Sequence, residues 1–384
     1  MHASERIARH LVPRCFAAAT VAIYALSCLT PAIAAADEAR IATTSPVVLR
    51  LATVGDSRGD PKAHGLDGAD RRWVQNTAVL ARMLDEISAD RAQVLVFNGD
   101  MVMGYTRDAV QLEREYAYWR GMVAPLIERG TYLLPVPGNH EMQMPTPQAS
   151  GKSRKLAQPE LVDAWRANMG DLILDTERWQ RATGVAPTAW DLANAPAPGS
   201  DGISSSQLQL SYSFDSGIVH IAVINTDPVG HDGAAPVEWL KRDFAAARAR
   251  GAKRFFVFGH KMAYSYAFSQ KLANDETGLD ERPAERDAFW DLVEAYGATY
   301  FCGHEHIFHA SQPRADAGGR AWQVLVGSGG SPFAAKPGFA EHPTDRFYAW
   351  AEVAVHADGA AEVVVHGFDA NLGPTRVLAQ WALP

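Results

Sequence analysis

Five times along this chain an apolar run of strand length stops at a glycine, and a residue able to bind metal or move a proton follows at once. The clusters are Gly55-Asp56-Ser57-Arg58, Gly99-Asp100, Gly138-Asn139-His140-Glu141, Gly259-His260 and Gly303-His304-Glu305-His306. The runs behind them are Val47 to Val54, Val94 to Asn98, Tyr132 to Val136, Phe255 to Gly259 and Thr299 to Cys302. They are continuous rather than alternating, the pattern of strands buried on both faces. Ile218 to Asn225 and Trp322 to Val326 read the same way. Helical spacing connects Val74, Ala78, Ala81 and Leu84, then Leu112, Tyr116, Trp119, Val123 and Leu126, and later Phe289, Leu292 and Val293. Strands alternating with helices predict an α/β fold. Ligands in such folds gather beyond the carboxyl ends of strands, where the five clusters stand.

Residues 37–384 read as one domain with mixed sheets. Near its end, Tyr348 to Val355 and Ala361 to His366 flank Asp358-Gly359 and predict an antiparallel hairpin at about 347–368. The segment at about 142–207 interrupts the pattern with many Pro, Ala, Gly and Ser residues and a short helical stretch around Glu160 to Met169. It reads equally as a cap-like insertion shaping a pocket or as a solvated excursion. Gly327-Ser328-Gly329-Gly330 has no Lys-Ser/Thr after it, so it predicts a tight turn rather than a phosphate-binding loop.

The 384 residues include 36 Lys+Arg and 44 Asp+Glu, a net charge of −8, and no basic run of five. That balance disfavours nucleic acid as a partner. Residues 1–36 read as a secretory signal: Arg6, Arg9 and Arg14 come first, Cys15 to Leu29 are mostly apolar, and Ala32-Ile33-Ala34 offers a cleavage-like site. The apolar stretch falls short of the ~20 residues a spanning helix needs. The mature chain is therefore expected to begin near Ala35, to carry no stable membrane span, and to be periplasmic or secreted. Cleavage removes three Arg and one Glu, giving −10, and leaves Cys302 as the single cysteine. No intramolecular disulfide is then possible, and Cys302, within Tyr300-Phe301-Cys302, reads as a buried inert thiol.

Carboxylate, carboxamide and imidazole together suit Mn, Fe or Zn better than Ca or Mg. Each cluster alone is an ordinary turn or a stray histidine; the ordered set carries the weight. From Val47 to Ser328 that order resembles the calcineurin-like metallophosphoesterase family, which includes the purple acid phosphatases. The resemblance implies a four-layer αββα sandwich, two mixed sheets flanked by helices, with a dinuclear site at the strand ends. It implies that Asp56 binds the first metal and Asp100 bridges both. Asn139, His260 and His304 would hold the second, and His306 would return to the first. His140 would be a non-ligand histidine beside the leaving group. The implied activity is hydrolysis of small phosphate esters, monoesters ahead of diesters, by in-line attack of a hydroxide bridging two divalent or mixed-valence ions. His140 would protonate the departing alkoxide.

Two positions depart from the family. Arg58 stands where most members have the histidine of Asp-x-His, and a guanidinium stays protonated and cannot ligate. Arg58 is read either as a catalytic-site clamp on substrate phosphate or as a partner fixing Asp56. The tyrosine that purple acid phosphatases place three residues after the second aspartate is here Met103, with Tyr105 two further on, so no tyrosinate-to-iron colour is expected unless Tyr105 reaches the metal. His64 and His309 are spare ligand candidates but more simply surface histidines, while Glu141 and Glu305 read as orienting neighbours. Two other readings stay open: a catalytically impaired phosphate-ligand binding or surface interaction protein, and an envelope phosphodiesterase or nuclease.

Overall fold

Strand β1 (Val47–Val54) shows why uninterrupted apolar runs fold as strands here. Leu49 and Leu51 enter one core and Ala52 and Val54 another, all four fully buried. The computed structural model describes residues 45–62, 68–173, 175–266, 278–338, 340 and 342–384. The secretory signal read at 1–36 and His64 lie outside them. The described residues fall within one unit, Glu38–Pro384.

After β1 come α1 (Gly68–Trp73), α2 (Thr77–Ala89), β2 (Val94–Phe97), α3 (Ala109–Glu128), β3 (Tyr132–Pro135) and the single-turn α4 (Asn139–Met142). Next are β4 (Gln143–Pro147), β5 (Ser153–Ala157), α5 (Pro159–Met169) and α6 (Thr176–Thr183). The second half holds β6 (Tyr212–Ser216), β7 (Val219–Val223), α7 (Val237–Arg250), β8 (Arg254–Phe258), α8 (Pro283–Tyr296), β9 (Thr299–Cys302), β10 (Phe308–Ser311) and β11 (Trp322–Val326). The chain ends in β12 (Phe347–His356), β13 (Ala361–Asp369) and β14 (Arg376–Leu383).

Among the described residues these strands build two six-stranded sheets, ordered β14-β13-β12-β1-β2-β3 and β10-β11-β9-β8-β7-β6. In the first, β1, β2 and β3 run parallel with Leu51 beside Val94 and Leu95 beside Leu133. In the second, β7, β8, β9 and β11 are parallel, with Phe258 paired to both Val223 and Phe301. Leu51, Val96, Phe256, Phe301 and Val324 fill the space between the sheets. Phe97, Leu84, Trp119 and Trp165 seal the outer face of the first sheet under α2, α3 and α5. Ile224, Phe244, Phe289 and Tyr300 do so for the second under α7 and α8. The result is the four-layer αββα sandwich with mixed sheets.

Segment 142–207 is more regular than its composition implies. Pro159 occupies the first turn of α5, where no N–H is needed, and Asp175 caps α6 by accepting from Arg178 N at 2.9 Å. Helix α5 buries Leu161, Val162, Trp165 and Met169, and α6 sends Trp179 into the inter-sheet core. Helices α5 and α6 thus pack on the body of the domain, while hairpin β4–β5 is more exposed. Strands β6, β10 and β14, unannounced by apolar runs, are sheet edges, where polar residues break the run. No helix among the described residues is long and apolar enough to cross a membrane. Cys302 is buried, and burial, then the charges of Glu305 and Asp56, push its thiol well up.

Candidate active site

The loops leaving β1, β2, β3, β8 and β9 bring Asp56, Asp100, Asn139, His260, His304 and His306 into one buried cluster, with Arg58 and His140 against it. Asp56, Asp100 and His304 adopt left-handed backbone conformations, φ 63°, 55° and 73°. Strain of this kind costs about 1–3 kcal/mol per residue and persists only where the surroundings dictate it. Here it turns each side chain back over the strand ends. The glycine before His304 serves the same approach, because a Cβ at Gly303 would overlap the Asp56 carboxylate.

Two donor groups share Asp100. Asp100, His260 and His304 offer ligand atoms within 4.8 Å of one another, and so do Asp56, Asp100 and His306. Asn139 Oδ1 joins the first group, 2.7 Å from His260 Nε2 and 2.8 Å from His304 Nδ1. His260 Nε2 lies 3.2 Å from Asp100 Oδ1, and His306 Nε2 lies 3.6 Å from Asp56 Oδ1. Backbone carbonyls set the tautomers. His260 Nδ1 donates to Asn98 O at 2.7 Å and His306 Nδ1 to Pro332 O at 2.7 Å. A carbonyl only accepts, so each neutral ring turns the Nε2 lone pair inward.

These groups fit metal ions. Asp56 Oδ1 is buried and accepts no hydrogen bond. Burial, then the charge of Asp100, holds the Asp56 carboxyl well above the usual carboxylate range. Burial first, with Lys261 for His304 and Arg58 for His306, holds both imidazoles well below their ordinary value. The fold thus crowds carboxylate, amide and imidazole lone pairs together in a buried place, with Asp56 Oδ1 accepting no hydrogen bond, an arrangement that cations relieve.

The family model for calcineurin-like phosphoesterases matches residues 49–308, more than half of the chain. The chain belongs to the calcineurin-like phosphoesterase family. Among solved structures, a purple acid phosphatase from yellow lupin (Lupinus luteus) seeds aligns at 15% identity and TM-score 0.56, covering 88% of this chain and 54% of that one. This chain thus spans about half the length of that relative. A dimetal phosphatase from Danio rerio aligns at 13% identity and TM-score 0.50, covering 88% of this chain and 99% of that one. No curated protein matches the sequence.

In this phosphoesterase Arg58 Nη2 is 3.3 Å from His306 Nε2 and Arg58 Nε 3.8 Å from Asp100 Oδ2. Arg58 therefore meets the cluster through His306 and Asp100, and its charge also acts to lower the Asp56 carboxyl, against burial and Asp100. His140 Nδ1 donates to Met103 O at 2.6 Å and its Nε2 is 3.7 Å from Asp100 Oδ2. Burial, then the charge of Arg58, pulls the His140 pKa well down. Glu141 belongs to neither donor group but accepts from the backbone N–H groups of Gly138, Asp100, Met101 and Val102 at 2.7–3.2 Å. It ties the second loop to the third, while burial and Asp100 push its carboxyl up to about 8. Glu305 likewise accepts from Tyr266 N at 3.0 Å. His309 is half-buried: it stacks on Tyr266 at 3.8 Å, belongs to neither donor group, and burial lowers its pKa to about 4.

Two further neighbours, Tyr105 and Lys155, stand against the donor groups. The Tyr105 hydroxyl accepts from Asn139 Nδ2, so Tyr105 touches a donor group through its amide. Lys155, on β5, donates to that hydroxyl at 3.2 Å. The offset of Tyr105 from Asp100 hinted at the first; nothing local pointed to the second.

Proposed function

We propose that this phosphoesterase hydrolyses small organic phosphate esters, monoesters ahead of diesters, in the periplasm or outside the cell. The sharing of Asp100 between two donor groups carries the reading. Asp56, Asp100 and His306 would hold one ion, and Asp100, Asn139, His260 and His304 the other. Bound there, two divalent or mixed-valence ions of Mn, Fe or Zn supply charge to offset the equatorial phosphate oxygens and a water acidic enough to attack at neutral pH.

The chain's own residues do the rest. Arg58, fixed against His306 and Asp100, presents a permanently charged planar fork to the phosphate oxygens. Asn139 contributes a neutral oxygen and keeps the cluster from repelling an anion. Met103 O holds the His140 ring so that Nε2 carries the transferable proton toward the leaving oxygen. Burial keeps that ring neutral at rest; a dianionic ester arriving beside it favours the charged form, so the proton is taken up as substrate binds.

Turnover of a generic aryl phosphomonoester and its matching diester, after loading with Mn, Zn or Fe, tests this directly. Monoester turnover at least equal to diester turnover supports the reading. Bound metal with neither ester hydrolysed overturns it. Export is tested by sequencing the N-terminus of protein from its own host: a start near Ala35 supports it, and an intact Met1 in the cytoplasm refutes it.

A further inference from the structure

Hairpin β4–β5 begins directly after α4, the turn of helix that carries Asn139 and His140. Its strands pair from Gln143 with Ala157 to Pro147 with Ser153, so the returning strand brings Lys155 back over that turn. Lys155 Nζ is 3.2 Å from the Tyr105 hydroxyl and 4.3 Å from the Tyr105 ring centroid. The same ring lies 4.0 Å from the His140 ring, and its hydroxyl holds the Asn139 amide. A half-buried ammonium thus sits one side chain away from the histidine assigned to the leaving group. Arg58 takes a different place, beside His306 and Asp100. The two cations thus stand at different places around the cluster.

We propose that Lys155 is a specificity residue, selecting phosphate esters whose leaving group bears its own anionic substituent; this rests on the phosphoesterase reading above. An ammonium offers three N–H donors, and a bond from it to a carboxylate or similar anion is charge-assisted and strong in a partly desolvated site. Position supports the assignment to the departing group. Lys155 reaches Tyr105, Tyr105 reaches His140, and His140 hands its proton to the oxygen that leaves. The insertion that follows the third cluster thereby carries substrate choice, while the strand-end loops carry the chemistry.

The test compares phenyl phosphate with 3-carboxyphenyl phosphate, using the full-length metal-loaded enzyme and its K155M, K155Q, K155R and Y105F variants. Wild type is expected to prefer the carboxylated ester, and the preference to fall with added salt. K155M and K155Q should lower kcat/KM for the carboxylated ester about tenfold more than for phenyl phosphate, and K155R should restore much of the preference. Y105F should slow both esters alike. Equal losses on both esters in K155M and K155Q would mean that Lys155 merely braces Tyr105, and would overturn the inference while leaving phosphoesterase activity standing. A wild type that hydrolyses neither ester overturns the activity reading and this inference together.

Discussion

Asn139 Oδ1 and His260 Nε2 face each other across 2.7 Å as two acceptors, because the His260 ring proton is already spent on Asn98 O. Only protonation of the ring or a cation between the atoms removes that repulsion, and Asp100 Oδ1, 3.2 Å from the same nitrogen, adds negative charge. Metal should therefore stabilise the fold. At a free metal concentration of 100 Kd the gain is about 2.7 kcal/mol. Calorimetry with and without a chelator should show the midpoint fall on metal removal and return on reloading, with His260→Ala losing most of that response. Identical midpoints in wild type would refute a cation at this position.

Arg58 donates toward the same His306 lone pair that a first-site ion would use. Arg58→His removes the competing guanidinium and adds an imidazole, so binding at Asp56, Asp100 and His306 should tighten about tenfold or more. Titration calorimetry and elemental analysis measure this. Unchanged stoichiometry and affinity would show that the first site is not deficient.

His140 touches the cluster but belongs to neither donor group. His140→Ala should cut kcat by roughly 10²–10⁴ with metal content intact, the range for loss of a general acid. A small rate effect would favour the phosphate-binding alternative.

Remote from the site, His220 is buried between two carboxylates: Nδ1 is 2.7 Å from Asp215 and Nε2 2.9 Å from Asp243. Carboxylates only accept, so both ring nitrogens carry protons. Burial lowers the His220 pKa, but the hydrogen bonds and charges of Asp215 and Asp243 outweigh it and raise it above 6.5. Burial raises Asp215, and its bonds from His220 and Arg250 bring it below 3.8. The His220 contribution is complete below pH 6.5 and is lost as pH rises through its folded value. The Asp215 contribution is complete above pH 3.8 and is lost as pH falls through its own. His220→Gln should cost about 3–5 kcal/mol between those limits, and the gap to wild type should narrow at alkaline pH. Denaturant titrations over that range would refute the charged triad if the gap stayed constant.

The α/β alternation and the strand-end clusters were legible because their signals are local, while the four-layer arrangement was implied only by the family resemblance. A strand buried on both faces must be apolar throughout, and a ligand at its carboxyl end must follow the last apolar residue, as Asp56 follows Val54-Gly55 and His304 follows Cys302-Gly303. Helix α5 was legible as the helical stretch around Glu160 to Met169, whereas α6 was obscured because Pro and Gly mark helix ends as well as loops, and a composition count does not distinguish the two. Which nitrogen of His260 or His306 faces inward depends on Asn98 O and Pro332 O, carbonyls on other loops. Arg58 met His306, and Lys155 met Tyr105, through contacts between distant segments. Residue type, order and strand-end position are written in the chain because they follow from short-range periodicity. Tautomer, charge state and partner were decided only by the tertiary structure, because they depend on burial and on groups that folding alone brings within a few ångströms.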